Sequence, residues 1–160
     1  MNILYLAPTP FFSVRGAPLV TYDTIKHLTA RGHTVDLLTF PFGEDRELPG
    51  LTIRRCGRWL PIRKVPFGAS IAKAALDCAI FLHLMWRLVL GRFGFGTSYQ
   101  CIFALDESAF ACWALRWILP CPVIYDMDAS IVEQFEASPG FRNFAGLGKF
   151  AETRCIRVSR

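Results

Sequence analysis

The apolar and polar positions of the first forty residues change period twice. Asn2-Ile-Leu-Tyr-Leu-Ala7 is a short, nearly all-apolar run closed by Pro8 and Pro10. A loop to Pro18 follows, carrying Phe11, Phe12, Arg15 and Gly16. From Ala17 to Arg31 the pattern is helical, with Val20, Ile25, Leu28 and Ala30 apolar, and Gly32 stops it. Thr34-Val-Asp-Leu-Leu-Thr39 is a second strand. A strand buried on both faces is nearly all apolar, and a helix crossing back over the sheet makes the next strand parallel. The pattern predicts a doubly wound α/β domain, with a mainly parallel sheet and helices on both faces. Ligands in such domains sit beyond the C-terminal strand ends, where the loop from Ala7 to Ala17 lies.

The same alternation continues. Leu51 to Cys56 reads as a strand nearer the sheet edge. Residues 69–90 form the longest apolar stretch and end at Gly91. Gln100 to Leu105 is a buried strand, and a helix from Ser108 to about Trp117 is opened by capping-type residues. Val123 to Tyr125 is a further strand, ending at Asp126-Met-Asp128. Ala129 to Ala137 reads helical, and Ser138-Pro-Gly140 breaks it. From Phe141 onward, Phe144, Leu147, Ala151, Cys155 and Val158 repeat at three- and four-residue steps, one apolar stripe. The sequence stops within that helix, which suggests a truncated domain or a chain cut from something longer.

Composition narrows the class. At 160 residues the chain has the length of one domain, and its 52% apolar content is enough for a full core. The formal net charge is +5 without long basic runs, which argues against a nucleic-acid tail. Six Cys have no Cys-x-x-Cys spacing and there is no secretory leader, so reduced thiols in a cytoplasmic protein are expected. Lys73, Asp77, His83 and Arg87 interrupt the apolar stretch, so it reads as a core helix rather than a membrane span, with Lys73 and Asp77 able to pair. Arg54, Arg55, Arg58, Arg63 and Lys64 surround Trp59, Leu60 and Ile62. That cluster is either a solvated loop or a patch for anionic lipid headgroups or a phosphorylated acceptor.

Three strand ends carry candidate chemistry. In a parallel sheet the turns at Pro8–Pro18, Asp106–Ser108 and Asp126–Ser130 project from one edge. Gly16 lets backbone approach a ligand, and a helix N-terminus following Arg15, Gly16 and Ala17 suits a phosphate; an ordinary turn glycine is the other reading. The loop lacks both G-x-G-x-x-G and G-x-x-x-x-G-K-[ST], which argues against a dinucleotide fingerprint and a P-loop. Asp106 and Glu107 are helix caps or ligand-binding carboxylates. Asp126 and Asp128 could bind hydroxyls, act as a base or hold a metal. His27 and His33 read as surface or capping residues, and His83 as core. Spacing does not name a reaction.

A resemblance does. The opening N-I-L-Y-L-A-P-T-P-F-F-S-V-R-G-A-P, the helix T-I-K-H-L-T-A-R-G-H with T-V-D-L-L-T, the turns C-I-F-A-L-D-E-S-A and P-V-I-Y-D-M-D-A-S-I-V-E-Q, and the final K-F-A-E-T-R-C-I-R occur in order over nearly all of the chain. Together they resemble the N-terminal domain of the retaining, family 4 glycosyltransferases of GT-B fold. The resemblance implies two Rossmann-like domains facing across a cleft, residues 1–160 forming the acceptor-side one. It implies transfer of a sugar from a nucleotide-sugar co-substrate with retention, without a required metal or other cofactor. It places Arg15, Gly16 and Ala17 at the donor phosphates, Asp128 beside the transferred sugar where many relatives have His, and Asp106, Glu107 and Asp126 on the acceptor side. The acceptor would be a saccharide or lipid-linked; the basic Trp59 patch and the apolar helix of residues 69–90, rather than the resemblance, lead to the expectation of peripheral contact with the inner face of a membrane. The E-x7-E motif of the nucleotide-sugar domain has no counterpart here, so this chain alone is expected to be inactive and to need a C-terminal domain or partner chain. An acceptor-binding subunit of a separate catalytic chain is the alternative; stable co-purification with such a chain would favour it.

Overall fold

The computed structural model describes residues 1–65, 68, 70–138, 140 and 142–158. Five strands, β1 (Asn2–Ala7), β2 (Thr34–Thr39), β3 (Leu51–Arg55), β4 (Cys101–Leu105) and β5 (Val123–Asp126), pair all-parallel in the order β3-β2-β1-β4-β5. The Rossmann-like fold and the edge position of β3 are therefore as the pattern predicts. Strand order reverses between β1 and β4, so the loops after those two strands diverge and leave a crevice.

The alternation of β1 explains the two layers. Leu4 and Leu6 face one core, with Leu38, Ile102 and Ala104. Ile3, Tyr5 and Ala7 face the other, with Val35 and Leu37. Helix α1 (Gly16–Ala30) covers the second face through Ile25 and Leu28. Helices α2 (Ile71–Arg92) and α3 (Ser108–Ala114) cover the first through Leu76, Ile80, Leu84, Leu88 and Cys112. Helix α4 (Ile131–Ala137) and helix α5 (Ala145–Val158) complete that side, with a 3-10 turn at Arg142–Phe144 between them and Cys155 of α5 buried against the core. The six thiols are free, four of them buried.

Several local expectations shift. Helix α2 starts one residue after Ser70, whose hydroxyl accepts from the Lys73 amide at 3.1 Å, and it runs through Gly91 to Arg92. Helix α3 ends at Ala114, and α4 begins only at Ile131. The 3-10 turn at Arg142–Phe144 leads directly into α5, which holds the stripe positions Leu147, Ala151, Cys155 and Val158. The expected starts at 69 and 141, Pro139 of the breaker, and the side chains of Phe144, Leu147 and Val158 lie outside what is described.

The loop after β1 is clamped from below. Arg55 of β3 donates to the carbonyls of Phe11 at 2.6 Å, Phe42 at 2.8 Å and Glu44 at 3.0 Å, and to Asp45 at 2.5 Å. Phe12 and Glu44 exchange two backbone hydrogen bonds of 2.7 and 2.9 Å. Gly43 allows this approach: its φ is +113°, and a Cβ there would lie 2.3 Å from the Phe11 carbonyl oxygen.

Candidate functional site

The three strand-end turns meet. Arg15, Gly16 and Ala17 from the start of α1, Asp106 from the end of β4, and Asp128, Ala129 and Ser130 from the loop after β5 line one cavity of about 430 Å³. Pro8, Phe40, Lys73 and Gln134 also border it. It sits at the crevice between the β1 and β4 loops, as the strand order requires.

Arg15 is the N-cap of α1 and makes no side-chain cap bond. The first amides of the helix have no intrahelical acceptor by geometry, so those of Gly16 and Ala17 are open to an anion at the cavity wall. A Cβ built on Gly16 would meet nothing within 4 Å, so the chain's own packing does not demand glycine there. The space beside it is open, and Gly16 is one of the residues that line the cavity.

Asp106 does not cap α3. Its backbone adopts φ +45°, the left-handed region that Asp tolerates better than most residues. Its carboxylate instead accepts from the amides of Asp128 at 3.0 Å and Ala129 at 3.1 Å, tying the β4 turn to the β5 loop. Only 7% exposed, it has a pKa pushed up to about 6 by burial, with Glu107 and Asp128 adding repulsion and the two amides opposing. Asp128 is exposed at the cavity.

Glu107 occupies the N-cap position of α3 without capping it. Its Oε1 accepts from Lys73 Nζ, which also donates to Gln134 Oε1 at 3.2 Å. The expected Lys73–Asp77 hydrogen bond is therefore not made. The lysine reaches across to α3, and Asp77 Oδ1 is left buried with no hydrogen-bond partner among the described residues. Burial foremost, and then the Glu107 carboxylate, raises the Asp77 pKa to about 8, against the pull of Lys73. Asp77 and Glu107 line an adjoining apolar recess of about 420 Å³ between α2 and α3, with Ile80, Phe81, Phe110 and Ala111. Lys73 and Pro8 border both spaces.

Asp126 is outside the cavity. The Tyr5 hydroxyl donates to its Oδ2 at 3.0 Å, so it anchors the centre of the sheet to β5. Of the three acceptor-side candidates, Asp106 lines the cavity, Glu107 the recess, and Asp126 neither. Lys73 was missed as a site residue. An ammonium has three donors, two of which are used here. Its signal is a lone cation in an otherwise apolar first turn, just after the N-cap Ser70.

The basic Trp59 cluster dissolves in part. Arg55 is consumed by the loop clamp, and Arg54 lies 3.5 Å from Asp36. Leu60 and Ile62 pack onto the core. Arg58, Trp59, Arg63 and Lys64 remain exposed. His83 is half-buried in a groove with Arg58, Trp59 and Trp86 rather than in the core; burial and the charges of Arg87 and Arg54 hold its pKa down.

No protein-family model matches the sequence, and no curated protein does. Among solved structures the chain is similar to sucrose-phosphate synthase from Thermosynechococcus elongatus, at 17% identity and a TM-score of 0.66. The match covers 99% of this chain and 40% of that one. The likeness establishes the fold as one present in a GT-B glycosyltransferase, and this chain spans two fifths of that protein's length.

Proposed function

We propose that this chain is the acceptor-side half of a GT-B sugar transferase, working with a second α/β domain or partner chain that holds a nucleotide-sugar. The observation that carries the reading is the meeting of Gly16, Asp106 and Asp128 at one cavity. Arg15 and the open amides of Gly16 and Ala17 would hold donor phosphate oxygens. Lys73, which also borders the cavity, adds a second cation. Asp128 is the exposed carboxylate for the proton of an attacking acceptor hydroxyl, and retention at the sugar carbon follows from the family 4 resemblance. Asp106 would orient the loop that carries Asp128. That the present chain covers 40% of a solved sucrose-phosphate synthase supports reading it as one part of a larger unit.

Gly16→Ala tests the reading. The new methyl meets no atom of this chain, so the melting temperature should hold within about 2 °C. Binding of a nucleoside diphosphate and of a nucleoside-diphosphate sugar, followed by ligand-observed NMR, should weaken about tenfold, because the methyl enters the phosphate space. Unchanged binding in the variant, or no saturation transfer to the wild-type chain, would overturn it.

A further inference from the structure

Helix α2 is amphipathic the wrong way round for a surface helix. Three of its four charged side chains, Lys73, Asp77 and Arg87, turn inward to α3 and the sheet, and Arg92 in the last turn is the exposed one. Its outer stripe, by contrast, is Ile71, Leu82, Met85, Trp86 and Val89, all exposed, and exposed Phe93 and Phe95 extend it past the helix end. A solvated helix normally carries its charges outward. Trp59, 73% exposed, and Trp86, 60% exposed, line one groove with Arg58.

Charge is segregated to the same part of the chain. Residues 56–105 contain six Lys and Arg against a single acid, Asp77, which equals the formal net charge of the whole protein; the other 110 residues hold twelve basic and twelve acidic side chains. Lys73 and Arg87 are spent on inward ion pairs. Arg58, Arg63, Lys64 and Arg92 are exposed, and none has an ion-pair partner among the described residues.

We propose that the outer face of α2, with Trp59, Trp86 and the cations Arg58, Arg63, Lys64 and Arg92, docks on the surface of an anionic lipid bilayer. Indole rings favour the boundary between headgroups and acyl chains, and clustered cations add attraction to anionic headgroups. A second copy would bring like charges together, which is repulsive. The helix lies on the bilayer rather than crossing it, because Leu76, Ile80, Leu84 and Leu88 on its other side are already in the protein core. The inference stands apart from the sugar-transfer reading, since vesicle binding needs neither donor nor acceptor.

Flotation of the full chain with phosphatidylcholine vesicles, with and without phosphatidylglycerol, is the test. The chain should float with anionic vesicles about tenfold more than with neutral ones, and high salt should release it. Tryptophan emission should shift to the blue on binding. Trp59→Ser with Trp86→Ser, and separately Arg58→Ala with Arg63→Ala and Lys64→Ala, should each cut flotation about tenfold with circular dichroism unchanged. If the tryptophan pair fails to fold, the charge variant and the salt titration decide. Equal binding to neutral vesicles, no binding, retention through a high-salt wash, or a dimer that forms by this face in sedimentation velocity would each overturn the proposal.

Discussion

Helix α2 brings two cations inward, Lys73 near its start and Arg87 near its end, and each meets a carboxylate from a distant strand end or strand. Arg87 donates to Asp36 at 2.6 Å, and the Tyr99 hydroxyl donates to the same oxygen at 2.7 Å, with Arg54 alongside at 3.5 Å. Among the described residues, neither the cavity, the recess nor the Trp59 groove borders that cluster; it ties β2 to α2 and to the segment before β4. Lys73 meets Glu107 where two cavities join, with a donor to spare and with Asp77 Oδ1 and Glu107 Oε2 lacking partners. The side chains are similarly buried, 13% exposed in the first pair and about 15% in the second. Burial alone thus does not separate a structural ion pair from a site. Nor do unpartnered atoms, since Arg54 Nε and Arg87 Nε are also buried without a hydrogen bond among the described residues; what separates the two is the empty space that adjoins Lys73.

The largest break in this contrast should come from Arg87→Leu. It takes the nearest cation from the Asp36 carboxylate, leaving it Tyr99 and the more distant Arg54, and should cost about 3 kcal/mol of unfolding free energy in urea titrations, with ligand binding at the cleft unchanged. Asp106→Ala should cost about 2 kcal/mol, since two amides lose their acceptor and alanine is poorly suited to the left-handed backbone, and the amide resonances of Asp128 and Ala129 should broaden or shift. Asp106→Asn, which keeps an acceptor oxygen and tolerates that backbone, should recover most of it. Lys73→Met should cost only about 1 kcal/mol, because water in the adjoining spaces can reach Glu107, yet should weaken diphosphate binding more than Arg87→Leu does. Matching losses of binding in the two cation variants would erase the distinction.

The smallest effect sharpens it by pH. Asp77 binds its proton more tightly in the folded chain, with a pKa near 8, than in an unfolded one, near 4. The folded state therefore holds the extra proton between those values, and this contribution to stability falls as pH rises from about 4 to 8. Asp106 acts in the same direction up to about 6. Asp77→Asn should flatten the upper part of that decline and raise the melting temperature by about 2 °C above pH 8, with no gain near pH 4.

The sheet was legible because buried parallel strands are written locally: β1 and β2 begin and end where their apolar runs do. The convergence of the three turns was legible too, since strand parallelism places successive C-terminal ends on one edge. Partner choice was not. The rule for residues four apart on a helix pairs Lys73 with Asp77, but Glu107 competes from thirty-four positions away, and only the docking of α3 reveals it. Arg55 likewise read as part of a basic cluster, because the four carbonyls that surround its guanidinium belong to loops of no regular pattern. Asp106 and Glu107 looked like caps for the helix they precede, whereas one holds the neighbouring loop and the other holds a different helix.

The grip of Arg55 and the missing side chain of Gly43 also bear on how tightly anything can be held. The Phe11–Phe12 segment is set in place when the chain folds, so the loss of its backbone freedom is not charged again at the moment a guest arrives. One jaw of the crevice is cast in advance. The facing side, at Asp128 and Ala129, hangs instead from the single carboxylate of Asp106.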